Sequence, residues 1–353
     1  MRRRVSQGLQ GRGLAIMSAS LFKDEAGVVY HGLALCYVLA GYGLGIAALF
    51  HGGTVASVVG VLLLGHSMTI AAYLLHECAH HTVFRSNAHN ARLGVFCTWI
   101  TGSCYGTYED IRYKHFRHHA DNADIMWFDS RAWLATHPLL TRLVLGLEWL
   151  YIPAHDVLMH GLLTIGAFAI PARRAQRPRN LAILLVRATV FASVLWLCPR
   201  VAIRYVFAYL LMITVLRFMD ALQHDYDGTT ILFEKTVPPH RGDRAYEQVH
   251  TFSNPLSMRY RWLNVLVLNF GFHNAHHARA ATPWYKLPAL HDELFGTSPE
   301  RVIPLGAQLR SFHRYRVSRV MGDTSMVVGP EFLRLARLGV ASGGNAVSFL
   351  TPF

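Results

Sequence analysis

Between positions 28 and 50 the chain runs about 23 residues without a charged side chain, and after His51-Gly52-Gly53 it runs uncharged again from 54 to 75. At 1.5 Å per helical residue, each stretch matches a hydrocarbon core roughly 30 Å thick. Backbone exposed to lipid must satisfy its own hydrogen bonds, so two such runs joined by three residues predict an antiparallel pair of transmembrane helices. A second pair, 181–198 and 201–219, turns at Pro199-Arg200. Its mid-span charge, Arg187, is expected to face protein or a polar cavity, because arginine against lipid is costly.

Composition agrees with a membrane protein: 52% of residues are hydrophobic and 16% charged, against roughly 25% charged in soluble domains. A net charge of +13 could indicate nucleic acid, but the basic residues gather at the edges of apolar segments and no nucleic-acid motif is present. A basic cytoplasmic face against anionic lipid fits better. Among the basic residues only Lys23, Lys114, Lys235 and Lys286 are lysine. GC-rich coding produces such an arginine bias, which points to a bacterial inner membrane. The five cysteines have no C-x-x-C spacing and read as reduced structural thiols.

The remaining segments follow from these spans. Met1-Arg2-Arg3-Arg4 starts like a signal peptide, but Gln10, Gly11 and Arg12 interrupt the apolar core, so residues 1–27 are expected to stay as a basic cytoplasmic segment. The apolar stretch 93–106 is too short to span and predicts an interfacial or re-entrant helix. Residues 139–170 are amphipathic, broken by Glu148, Pro153, His155, Asp156 and His160, and predict helices lying on the membrane surface. The basic break at 173–179 and the polar connection 225–261 fall on the cytoplasmic side. Residues 28–322 form one membrane domain, and 323–353, thinning to Gly, Ser and Ala, predict a loosely ordered tail.

Three histidine clusters lie outside these spans, the first where the second span ends. They are His76, His80 and His81; His115, His118 and His119; and His273, His276 and His277. Spacings of three and four place side chains on one helix face, so each cluster can aim imidazoles at one point. Neutral imidazole suits iron, zinc and copper, and a helix bundle can converge ligands on a metal pair. Cys78, inside the first cluster, reads as a small packing residue, with ligation as the alternative. His31, His51, His66, His155, His160, His250 and His291 read as ordinary polar residues.

The order H-x-x-x-H-H, H-x-x-H-H, H-x-x-H-H, with one apolar hairpin before the first cluster and another between the second and third, resembles the membrane fatty-acid desaturases and their hydroxylase relatives. The resemblance covers roughly residues 28–294. It implies an all-α membrane protein with four transmembrane helices in two hairpins and a cytoplasmic helical cap, holding two iron ions that activate O2. In that family a further histidine between the second and third boxes completes the metal set, and His224 stands there. Relatives differ in their use of the first box, so either His80 or His81 could be the ligand beside His76. Asp220, four residues before His224, is a candidate to orient a ligand, or alternatively to pair with Arg217. Glu77, Asp110 and Asp121 are further carboxylates placed to accept a histidine N–H, as are Glu109 and Asp124, which read equally as solvated surface.

No nucleotide-binding glycine motif and no His-Pro-Gly-Gly of a fused haem domain occurs. Electrons are therefore expected from an external donor such as an acidic ferredoxin with its reductase, docking on the basic face. The resemblance implies desaturation of a fatty acyl chain or lipid. Hydroxylation, or desaturation of a small amino-acid-derived metabolite of the rhizobitoxine type, stands as the alternative. A membrane metal transporter is the competing class, disfavoured because its ligands would be expected within the spans rather than beyond their ends.

Overall fold

The computed structural model describes residues 21–226, 229–234, 236–322, 327–343 and 349–351. The basic start of the chain lies outside the described residues. Among the described residues, four helices are long and apolar enough to cross a membrane. α1 (Glu25–Phe50) starts where the Asp24 carboxylate accepts from the Gly27 amide at 2.8 Å, and it ends at the glycine turn after His51. α2 (Thr54–Ala79) returns beside it, and every residue from Ser67 to Ala79 is buried. Small residues allow this closeness: a Cβ at Gly45 would stand 2.9 Å from the Leu64 Cβ, and one at Gly65 2.8 Å from the Ala208 carbonyl oxygen.

α3 (Asn87–Thr101), stopped by Gly102 in the left-handed region, packs along α2; it starts and ends several residues earlier than the apolar stretch 93–106. α4 (Tyr108–Asp121) begins with a reciprocal cap between Thr107 and Asp110. After strand β1 (Asp124–Met126) come α5 (Ser130–Ala135), α6 (Pro138–Trp149) and α7 (Ala154–Ala169). The last two are the amphipathic pair: Val144, Glu148, Met159 and Leu163 are buried, while Leu139, Leu143, Trp149 and Ile165 are exposed.

The second hairpin is α8 (Arg177–Leu197), led in by a 3-10 turn from Pro171, and α9 (Pro199–Asp220). Only Asn180 and Ile183 of α8 are buried, and its outer face of Leu185, Val190 and Trp196 is apolar and exposed, as lipid contact requires. Arg187 turns inward and donates to the Trp99 carbonyl at 3.3 Å. Arg217 pairs with Glu148 at 2.7 Å and Asp156 at 3.5 Å. The suggested Arg217–Asp220 pair is therefore replaced by a buried link between span and cap.

The cap is completed by β2 (Thr229–Ile231), paired in parallel with β1, then α10 (Arg244–Val249), α11 (His273–Ala278), α12 (Leu287–Phe295), α13 (Leu305–Tyr315) and α14 (Gly329–Leu338). Within residues 323–353, the described segments 327–343 and 349–351 depart from the loosely ordered tail that composition suggested. α14 buries Phe332 and Ala336 against Leu222, Phe252 and Ile303, and Leu350 and Thr351 are wholly buried. Two apolar side chains four apart on a short helix suffice to dock it, and Gly- and Ser-rich flanks hide that signal.

Candidate metal centre

α2 carries His76 on its last turn and His80 at its cap. α4 carries the second box, α11 the third, and His224 follows α9, where it bridges to Thr251. These elements meet at the end of α2 and bring nine histidines together. His76, His80, His115 and His276 form one group, and His118, His224, His273 and His277 a second, with the donor atoms of each within 4.8 Å of one another. His119 lies beside both: its Nε2 is 3.2 Å from that of His115 and 3.2 Å from that of His276, and it is grouped with Glu247 and His277.

The ring nitrogens crowd together much as ligands of a shared ion do. Nε2 atoms stand 2.6 Å apart at His80–His115, 3.1 Å at His118–His224 and 2.8 Å at His224–His273. Metal–nitrogen bonds of about 2.0–2.1 Å give nitrogen–nitrogen edges of about 2.9–3.4 Å in octahedral or tetrahedral sets, so the His118–His224 pair matches and the other two stand slightly closer than two ligands of one ion would. Nε2 of His76 and of His277 is buried without a hydrogen-bond partner, as an atom reserved for a metal would be. Burial, reinforced by neighbouring imidazoles, holds His80, His115, His119, His224, His273 and His277 well below the usual histidine range and brings His276 to about 3. Neutral imidazole is the form that ligates.

His81 joins neither group. It leaves the helix with φ 53° and lies near Arg112 and Lys23, so His80 is the partner of His76. A left-handed turn at that residue sends consecutive side chains apart. Cys78 is buried and its carbonyl accepts from the Tyr108 hydroxyl at 2.6 Å; the thiol belongs to no metal group. Of the remaining histidines, His155 meets Ser130, His160 meets Tyr209 and His250 meets Asp225.

The carboxylates differ more from expectation. Glu77 accepts from Thr82 Oγ1 at 2.6 Å and the Trp284 amide at 3.1 Å, while its approach to His76 Nδ1 is 4.0 Å, too long for a hydrogen bond. It pins the segment after α11 onto α2. Asp110 binds Arg173 and Gln176, and Asp121 binds Arg117 and Arg241, so both secure the cap rather than a histidine. Glu109 is exposed. Asp220 and Asp124 line the central chamber, with no hydrogen bond from either to a histidine among the described residues.

The carboxylate that does hold a box histidine is Glu247, whose Oε1 accepts from His277 Nδ1 at 2.9 Å. Asp243 caps the short helix that presents it. That cap is visible in the sequence, but nothing local aims Glu247 at a residue thirty positions on. His118 is oriented instead by the Ala123 carbonyl at 3.1 Å.

The chamber beside the two groups encloses about 60 Å³ and is lined by His76, Lys114, Asp124, Asp220, Gln223 and Phe349 among others. Phe349 sits 5.8 Å from the His76 ring, and Lys114 holds the same segment through the Thr351 carbonyl at 2.8 Å. Burial brings Lys114 down to about 7, opposed by Asp124 and Asp220.

Four apolar spanning helices under a cap with two facing groups of neutral histidines define a membrane protein with a histidine-rich di-metal site. The fatty acid desaturase family model matches residues 53–308, and the chain belongs to that family. Membership implies a di-iron oxidoreductase and an acyl substrate. No curated protein matches the chain.

Proposed function

We propose that the protein is an O2-dependent desaturase that introduces a carbon–carbon double bond into a fatty acyl chain or lipid. The observation that carries this reading is the pair of four-histidine groups opening on one chamber at the end of α2. Two irons bound there would supply the reduction of O2 to two waters, with two electrons from the substrate and two from an external donor such as a ferredoxin. His76, His80, His115 and His276 would hold one ion and His118, His224, His273 and His277 the other, with His119 beside both. Glu247 keeps the His277 proton on Nδ1 and so leaves Nε2 free to ligate.

Purified protein should carry about two irons per chain, and expression in a host should yield a product two hydrogens lighter by mass spectrometry. Active protein free of transition metal would overturn the reading. A smaller, polar substrate is a second reading, favoured by Lys114, Asp124, Asp220 and Gln223 in the chamber lining. A product oxidised by one oxygen atom would indicate hydroxylation instead.

We place the cap in the cytoplasm of a bacterial inner membrane. Arg173, Arg174, Arg177 and Arg179 flank the start of α8 on the cap side, whereas the opposite turns, 51–53 and 198–200, contain one arginine. In a background without native cysteines, single cysteines at Gly52 and Arg200 should react with an impermeant reagent from outside. Those at His89 and Arg241 should react only after the membrane is opened, and external labelling of either would reverse this orientation.

A further inference from the structure

From the second histidine group a stack of rings leads outward. The Tyr226 ring lies 4.4 Å from His224, at 21° to it, and 5.8 Å from His118. Tyr246 follows at 6.1 Å and 19°, and His240 covers Tyr246 at 3.7 Å and 3°. His250, the cap residue one turn on from Tyr246 on the same helix, adds a second stacked ring at 4.0 Å. The outer end is basic: next to His240, the Arg241 side chain is 51% exposed, and Arg244, one helical turn from Glu247, is 74% exposed. Near-parallel rings this close are a common packing, but four in series from a candidate ligand to the surface are more than packing requires.

We propose that Tyr226 and Tyr246 are the route by which electrons reach the metal pair, and that the surface at His240, Arg241 and Arg244 docks an acidic one-electron carrier. The proposal rests on the di-iron reading above. Electron tunnelling falls steeply with the gap between donor and acceptor orbitals, and successive π-systems in contact shorten every gap. Each transfer oxidises the carrier by one electron and reduces one ferric ion to ferrous, and no bond in the protein forms or breaks. The tyrosines stay closed-shell throughout. Opposite charge steers the encounter, and α10 joins the two ends, since it holds Arg244 at the surface, Tyr246 in the stack and Glu247 on His277. A competing exit runs from His80 to Phe116, 5.6 Å away and tilted, with Arg112 over its far face.

The test is anaerobic, substrate-free reduction of the iron-loaded protein by a reduced acidic [2Fe–2S] ferredoxin, followed by absorbance and normalised to bound iron. Tyr246→Leu should lose most of the reduction rate with iron content and melting temperature retained, and Tyr246→Phe, which keeps the ring, should restore it. If Tyr246→Leu disturbs Glu247 and iron is lost, His240→Leu reads the outer ring alone and should also slow reduction. Ferredoxin binding to the iron-free protein should weaken with added salt and with Arg241→Glu. Wild-type reduction rates in Tyr246→Leu or His240→Leu, or slowing by Phe116→Leu instead, would overturn the route. Salt-independent binding would overturn the docking surface, and protein without reducible iron would instead refute the di-iron reading.

Discussion

Replacing His276 with alanine should abolish product formation and remove most of the bound iron while leaving the protein inserted in the membrane. His276 closes the first group: its ring lies 4.6 Å from those of both His76 and His80, and its Nε2 is 3.2 Å from that of His119. Without it three donors remain around a buried position built for four. Removing a group that only orients a ligand costs roughly 10–100-fold in metal affinity, and removing the ligand itself should cost more. His118→Ala should do the same to the second group, where its Nε2 faces that of His224 at 3.1 Å. Neither residue lies in a spanning helix, so insertion should be unchanged. Iron per chain by atomic emission, measured beside membrane-fraction yield, decides the matter, and full iron in both variants would remove these histidines from the ligand set.

Glu247→Ala should weaken iron binding by roughly 10–100-fold, because the His277 ring would lose the acceptor that fixes its tautomer and angle. Glu247→Gln should fall between, since an amide oxygen can still accept the Nδ1 proton but brings no negative charge. Arg244, which donates to Glu247 at 3.1 Å and to the His277 carbonyl at 3.3 Å, would lose the first acceptor in Glu247→Ala and keep the second in both changes. Asp110→Asn and Asp121→Asn are the comparison: these carboxylates bind arginines of the cap, so iron affinity should be nearly unchanged. The reading fails if Glu247→Ala holds iron as tightly as the parent protein or if Asp121→Asn loosens it equally.

The four spans, their pairing in hairpins and the three boxes outside them were legible from residue order alone. Each rests on a short-range rule: 1.5 Å of rise per residue sets the span length, and spacings of three and four set the helix face. His224 was legible only through the family resemblance, since a single histidine after a span has no periodicity to mark it.

What the tertiary structure decided is how the clusters divide. One helix face does not serve one ion: α4 gives His115 to the first group and His118 to the second, and α11 gives His276 to the first and His273 and His277 to the second. Helix spacing says which side chains share a face, but the crossing of α4 and α11 over the end of α2 decides which neighbours they meet. The same limit explains the exchange of Glu77, Asp110 and Asp121 for Glu247, and the arrival of Phe349 beside His76. Those contacts join positions 30 and 273 residues apart, where chain order carries no distance information and only packing brings the atoms together.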